Sequence, residues 1–344
     1  MNIAETISFI RDLYGEKEAF IPLHAPTFAG NEKKYLEECI DTTFVSSVGK
    51  FVDLFEQKIA AYTGAKYAVV CVNGTNALHI ALKLSGVEAG DEVITQPLTF
   101  IATTNAIVYA GAVPVFVDVT IPQYNIDVTK FEEALSPKTK AVMVAHTLGN
   151  PFDLESVVAF CKKHNLWLIE DNCDALGSTY IIDGEKKFTG TIGDIGTSSF
   201  YPPHHMTMGE GGAVYTSNPL LSKIMKSIRD WGRDCVCHSG QDNMCGHRFD
   251  RQYGELPLGY DHKYVYSHFG YNLKPTDLQA AVGVAQLKKF PGFAQRRREN
   301  YKRLYEALKP VEDKIILPVP VKNGDPSWFG FLITCKEGVE RAKL

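Results

Sequence analysis

Several places in this 344-residue chain put reactive side chains where chemistry could use them. Gly74, Thr75 and Asn76 follow an apolar run and open a helical pattern. Free backbone N–H groups and the positive end of a helix dipole make such a turn an anion site. An ordinary helix cap with a turn glycine is spelled the same way. Asp171 closes the run LWLIED, at the carboxyl end of a strand, where ligands bind in open α/β sheets. A carboxylate there can keep a pyridinium nitrogen protonated, cap a helix or close an ion pair. Phe100, just past another strand in PLTF, could cover an aromatic ligand or pack the core. Among eight cysteines, Cys39, Cys71, Cys161, Cys335 and Cys173 read as small buried side chains, whereas Cys235, Cys237 and Cys245 crowd together and ask for a metal.

These residues need a scaffold, and the pattern supplies one. Apolar strand-like runs at 66–72, 91–96, 113–119, 140–146 and 166–171 alternate with helical stretches at 75–86, 101–111, 130–137 and 153–165. The strands are continuous Val/Ile/Leu runs, as expected where helices cover both faces of a largely parallel sheet. Beyond residue 190 the pattern shifts to shorter strands around a glycine-rich turn, then a helix (LLSKIMKSIRDWG) and a polar loop at 234–262 that holds the cysteine crowd. A long amphipathic helix from Thr276 follows. PSWFGFLIT reads as the first strand of a further small sheet, so the small C-terminal domain is expected to be cut short. The expected division is an arm at 1–30, a large cofactor-binding domain at 31–262, and a connecting helix with a partial small domain at 263–344.

Composition narrows the function. Lys and Arg number 36 against 40 acids, a net charge of −4, which gives no general attraction to nucleic acid. No apolar run is long enough to cross a bilayer, and Glu5, Arg11, Asp12 and Glu16 interrupt the opening residues, unlike a secretory leader. A cytoplasmic protein is expected, its cysteines reduced.

The ordered segments GTNAL, PLTFIATTNAI, IEDNCDALGS, GTSSFYPPHHMTMGEGGAVYT and GYNLKPTDLQAAVG together resemble the DegT/DnrJ/EryC1 family of PLP-dependent sugar aminotransferases and dehydrases. The resemblance implies the fold-type-I aminotransferase architecture, α/β with a mostly parallel central sheet. It also implies that Gly74, Thr75, Asn76 and Ser199 hold the cofactor phosphate, that Phe100 stacks on the ring and that Asp171 meets its nitrogen. Asn272 matches a position that reaches the phosphate of a neighbouring subunit, which implies a homodimer. Where the aminotransferases carry the lysine that binds PLP covalently, this chain has His204, and no lysine stands between Lys187 and Lys223. Histidine cannot form that bond but moves protons near neutral pH. The replacement resembles the 3-dehydrases of deoxysugar synthesis, which work with pyridoxamine 5′-phosphate (PMP). Asp174 and Tyr201 stand where the aminotransferases commonly have His or Gln and His, in agreement with that branch, and His205 reads as structural.

Cys173, a gap of 61 residues, then Cys235-x-Cys237-x7-Cys245 resembles the CDP-4-keto-6-deoxy-D-glucose 3-dehydrases, whose four thiolates hold a [2Fe–2S] cluster. Zinc with His238 or His247 is the alternative, although the Cys-x-Cys start is too tight for the usual zinc knuckle. Residues from about 116 are similar to these dehydrases. Residues 1 to about 115 are similar to nucleotide-sugar aminotransferases of legionaminic acid or bacillosamine type. The resemblance implies removal of the C3 hydroxyl of a CDP-4-keto-6-deoxyhexose on the way to 3,6-dideoxysugars of O-antigen, with a flavin/iron–sulfur reductase as electron donor. A cluster-free dehydrase that regenerates PMP from glutamate, an aminotransferase-like protein and a non-catalytic binding protein are the other readings.

Overall fold

The computed structural model of the chain describes residues 3–14, 22, 24–47, 49–235, 237, 243–244 and 246–343. Helices α1 (Ile3–Tyr14), α2 (Glu32–Asp41) and α3 (Lys50–Thr63) precede an alternating run: β1 (Tyr67–Cys71), α4 (Gly74–Leu84), β2 (Glu92–Thr95), α5 (Ile101–Tyr109), β3 (Val113–Phe116), α6 (Phe131–Ala134), β4 (Thr139–Ala145), α7 (Leu154–His164) and β5 (Trp167–Asp171). A hairpin, β6 (Thr179–Ile182) and β7 (Glu185–Phe188), leads to β8 (Ile195–Ser199), β9 (Gly212–Thr216) and α8 (Pro219–Arg229). The 32-residue α9 (Asp277–Leu308) is followed by three two-residue strands, β10 (Ile315–Ile316), β11 (Gly324–Asp325) and β12 (Thr334–Cys335).

The central sheet has seven strands in the order β1-β9-β8-β5-β4-β2-β3. The pairs β3–β2, β2–β4, β4–β5 and β5–β8 are parallel, while β8–β9 and β9–β1 are antiparallel. Side chains alternate across each strand, and both faces are covered. On β1, Val69 and Cys71 join the core under α4, α5 and α8, and Ala68 and Val70 join the core formed with α2, α3 and α9. That two-sided burial explains the uninterrupted apolar runs. A third cluster packs α6 and α7 against β4 and β5 through Phe131, Val142, Val157 and Leu168.

Helix α9 is bound in at its start. Thr276 and Gln279 form a reciprocal capping box, and the buried Asp277 carboxylate accepts from the N–H of Phe51 and Val52, capping α3 from another helix. Gly49 lies against that carboxylate, where a Cβ would sit 2.3 Å from Asp277 Oδ2.

The expected strand at PSWFGFLIT does not form along that segment. Only its last residue, Thr334, pairs, in β12 with β10. Residues 327–329 use their backbone elsewhere: Ser327 N–H donates to Ser178 Oγ, and Phe329 N–H to the Leu148 carbonyl. The apolar side chains that suggested a strand pack instead on α9 and the arm, Trp328 stacking on Tyr301 and Phe329 on His24. Among the described residues, no helix is long and apolar enough to cross a membrane.

Candidate active site

The carboxyl ends of β1, β5 and β8 converge on a cavity of about 450 Å³. Its lining includes Asn73, Gly74, Thr75, Phe100, Thr103, Asp171, Cys173, Asp174, Ser199, Tyr201, His204, Glu210 and Phe329. At one end, Asn73 caps α4, its Oδ1 accepting from Asn76 N–H at 2.9 Å. The cap engages the third amide of the turn, which leaves the first two, on Gly74 and Thr75, for an outside acceptor. Gly74 is required by close approach: a Cβ there would lie 2.5 Å from Ser199 Cβ. Gly212 is likewise pressed against the Asn73 carbonyl. Turn and sheet therefore form a tight cradle, with the Ser199 hydroxyl beside the helix start.

At the other end Asp171 is 6% exposed. Its Oδ2 accepts from Thr103 Oγ1 at 2.7 Å and its Oδ1 from Cys173 N–H at 3.2 Å. The neighbouring Glu170 fixes the strand end. Its fully buried carboxylate accepts from the N–H of Gly190, Ile192 and Gly193 at 2.6–2.7 Å and faces His146 Nε2 at 3.0 Å. Phe100 stands at the mouth, 75% exposed, an aromatic ring with no core to pack into. A phosphate cradle, an aromatic flank and a buried carboxylate at the far end fit pyridoxal phosphate in both of its forms. The carboxylate would hold the ring nitrogen protonated.

His204 lies in the wall. Its Nε2 is 3.2 Å from Asp174 Oδ1, its ring meets that of Tyr201 edge-on at 6.1 Å, and its Nδ1 is buried without a hydrogen-bond partner among the described residues. Asp174 stands where it can orient the ring and steady its cation, the arrangement of a general base with its orienting acid.

The structure gathers most of the expected site: Gly74, Thr75, Phe100, Asp171, Cys173, Asp174, Ser199, Tyr201 and His204 all line this cavity. Asn76 does not, its amide being spent on the cap. Asn272 lies elsewhere, in a bridge with Asp230 beside α8. Cys235 and Cys237 line a separate cavity of about 230 Å³ with Arg229, Arg233 and His268. Cys245 and His238 fall outside the described residues, and His247 pairs with Asp250 at 2.8 Å. Among the described residues no three potential ligands gather as a metal site. Cys173 is not a fully buried apolar filler but half-buried against Asp171, and burial together with the charges of Asp171 and Asp174 holds its thiol well above the ordinary range.

Sequence reading missed Asn73, Thr103, His24 and Phe329. The apolar Phe329 closes the wall between this cavity and a second one, and Gly149 lets it approach: a Cβ on Gly149 would meet the Ser327 carbonyl at 2.3 Å.

The family model of the DegT/DnrJ/EryC1/StrS aminotransferases matches residues 26–344. The chain belongs to that family. It is 51% identical over 308 residues to the lipopolysaccharide biosynthesis protein RfbH of Salmonella typhimurium, covering 87% of this chain and 70% of that one. It is 48% identical over 300 residues to dTDP-4-dehydro-2,6-dideoxy-D-glucose 3-dehydratase of Saccharopolyspora spinosa, covering 84% of this chain and 64% of the relative. Among solved structures, the Escherichia coli GDP-4-keto-6-deoxy-D-mannose-3-dehydratase with bound hydrated PLP superposes with a TM-score of 0.82 at 26% identity, over 94% of this chain and 81% of the other. An aminotransferase from Psychrobacter cryohalolentis gives 0.82 at 30% identity, over 94% and 79%. The fold is that of the fold-type-I aminotransferases, and the chain is an enzyme of the PLP-dependent sugar aminotransferase and 3-dehydratase family.

Proposed function

We propose that this enzyme removes the C3 hydroxyl of a nucleotide-linked 4-keto-6-deoxyhexose, the CDP sugar in the first place, with PMP as its working cofactor. The observation that carries this reading is His204, held against Asp174 in the wall of a cofactor cavity whose lining includes no lysine. Two similar proteins support it, the dTDP-4-dehydro-2,6-dideoxy-D-glucose 3-dehydratase of Saccharopolyspora spinosa and the GDP-4-keto-6-deoxy-D-mannose 3-dehydratase of Escherichia coli.

When bound, the cofactor supplies an amine that condenses with a ketone and a ring that accepts electron density. The chain supplies the rest. The first amides of α4 and the Ser199 hydroxyl anchor the phosphate, Phe100 flanks the ring, and Asp171, oriented by Thr103, holds the proton on the ring nitrogen. The His204 ring takes a proton while Asp174 stabilises the resulting cation, and the same proton is available to the departing hydroxyl as water forms. Tyr201, about half exposed at the cavity edge, borders the substrate side.

Cys173, Cys235, Cys237 and Cys245 are proposed to hold a [2Fe–2S] cluster fed by a flavin/iron–sulfur reductase. Only Cys173 among the described cysteines stands in the cofactor cavity, and its raised thiol means that ligation must expel a proton. A homodimer is proposed because the family match at Asn272 implies one, and Phe249, Leu258, Tyr264, Tyr266 and the fully exposed Phe269 leave apolar surface uncovered between residues 249 and 269. The placement of Cys173 and Cys235–Cys237 in different cavities favours, as a second reading, a cluster-free dehydrase that renews PMP from glutamate.

The test is an anaerobic absorbance spectrum with iron and sulfide assays, before and after addition of CDP-4-keto-6-deoxyglucose to the PMP-loaded enzyme. A substrate-dependent change near the cofactor band supports dehydration, and its absence refutes it. Equal amounts of iron and labile sulfide support the cluster, and their absence selects the glutamate-driven reading.

A further inference from the structure

The segment PLTFIATT, which follows β2, brings more than an aromatic ring to the cofactor cavity. Phe100 stands at the head of α5 in extended backbone. On either side of it in the chain are two threonines four positions apart, Thr99, which is half-buried, and Thr103, which is fully buried. Both line the cavity. Thr99 Oγ1 lies 2.9 Å from Thr103 Oγ1, and Thr103 Oγ1 lies 2.7 Å from Asp171 Oδ2.

Counting protons fixes the direction of both bonds. A carboxylate only accepts, so the single hydroxyl proton of Thr103 goes to Asp171, and the Thr103 oxygen accepts from Thr99. The Thr103 amide donates to the Phe100 carbonyl at 3.1 Å, so the first turn of α5 holds the hydroxyl chain and the ring flank together.

A ring nitrogen that meets Asp171 shares its proton in one of two ways: pyridinium against carboxylate, or neutral pyridine against carboxylic acid. Asp171 is 6% exposed, and loss of water at such a place favours the uncharged pair. Hydrogen bonds to the carboxylate favour the charged pair. Donors from the chain must therefore take the place of water. Cys173 N–H reaches Oδ1 at 3.2 Å, and the Cys173 thiol against the same carboxylate is a weak donor. The shorter bond, to Oδ2, comes from Thr103. The bond from Thr99 strengthens it, since linked hydrogen bonds polarise one another.

We propose that Thr103, backed by Thr99, is a positioning residue that keeps the proton of the bound cofactor on its ring nitrogen. It acts through Asp171. This role adds to the dehydration reading the groups that make the ring a strong acceptor of electron density. It requires the cavity to hold PLP or PMP and is independent of the sugar that the enzyme takes.

The protein loaded with PMP that carries nitrogen-15 in its ring is compared with its variants by solid-state NMR at one pH. Free labelled PMP in acid and in base supplies the pyridinium and neutral limits. The wild-type resonance should stand at the pyridinium limit. Thr103→Val keeps the shape of the side chain and removes the hydroxyl. It should move the proton's partition about 10-fold or more towards the carboxylate, and the resonance towards the neutral limit. Thr103→Ser should restore the wild-type position. Thr99→Val should displace the resonance in the same direction by less. With CDP-4-keto-6-deoxyglucose, Thr103→Val should lower the rate at saturation about 10-fold and change the half-saturating concentration by less than about threefold. A wild-type resonance in Thr103→Val overturns the proposal even where Tm falls, since the hydroxyl then serves folding alone. Should Thr103→Val not fold, an unmoved resonance in Thr99→Val overturns it. No response of wild type to the sugar overturns the dehydration reading, and the comparison of resonances still decides the role of Thr103.

Discussion

Replacing Gly74 by Ala tests the phosphate cradle by steric means alone. The new methyl would stand 2.5 Å from Ser199 Cβ and 2.8 Å from Ser199 Oγ, against the ordinary limit near 3.4 Å. Relief of nearly 1 Å is needed, and the nearby atoms belong to the end of β8, which pairs with β5 and β9 and cannot retreat. The start of α4 must therefore shift outwards. An N–H···O bond to phosphate stretched by that amount is lost, at about 1.5–3 kcal/mol for a charged acceptor. At 1.36 kcal/mol per tenfold, PLP affinity should fall roughly 10- to 150-fold, measured by fluorescence titration. Overpacking strain adds about 1–3 kcal/mol of lost stability in the cofactor-free protein, read as a lower Tm. Adding Ser199→Gly removes the Cβ that the new methyl meets. The double variant should regain Tm relative to Gly74→Ala, although it forgoes the serine hydroxyl. Wild-type affinity in Gly74→Ala, or a double variant no more stable than the single one, would show that the turn does not bear on the sheet as described.

Other perturbations probe the remaining parts. Asp174→Asn keeps the shape but removes the charge opposite His204 Nε2, and the single-turnover rate of dehydration should drop about 10²- to 10⁴-fold, with PMP affinity within threefold of wild type. His204→Lys should lose dehydration and gain a borohydride-stable bond to PLP, visible by mass spectrometry; unchanged dehydration would refute the assignment of the base. Glu170→Ala strands three backbone donors and His146, so unfolding free energy should fall by roughly 3–5 kcal/mol in urea titrations, and a loss below 1 kcal/mol would contradict the role given to it. Because burial lowers the pKa of His205, the unfolded chain takes up a proton below about pH 6.5 that the folded chain refuses. Stability should thus decline as pH drops through that window, by up to about 1.4 kcal/mol per unit from this group, and His205→Gln should flatten the profile by that amount.

The sheet was legible in the sequence because strands covered on both faces have few alternatives to unbroken apolar spelling. The runs at 66–72 and 166–171 became β1 and β5 within a residue. Asp171 and the Gly74 turn were legible for the same reason, since both follow from where a strand ends. The residues that orient them were not. Thr103 reaches Asp171 across 68 positions, and Ser327 reaches Ser178 across 149, distances over which local pattern carries no information. PSWFG misled for a physical reason as well. Its apolar side chains spell a strand, but its backbone hydrogen bonds go to loops, and nothing in the spelling shows which partner an N–H will find. Two adjacent histidines, alike in sequence, were separated only by their neighbours: an aspartate for His204, a backbone carbonyl for His205.

The contact between the Gly149 turn, Ser178 and Ser327 has a consequence for how this enzyme matures. Ser178 Oγ donates to the Gly149 carbonyl and receives the Ser327 amide, so a single hydroxyl ties together stretches that leave the ribosome far apart in time. Phe329 and the Ser327 carbonyl that fixes His205 come into place only after every strand of the central sheet has been made. A nascent polypeptide can therefore own a finished sheet while its catalytic chamber still lacks one side, and competence is acquired later than the sheet.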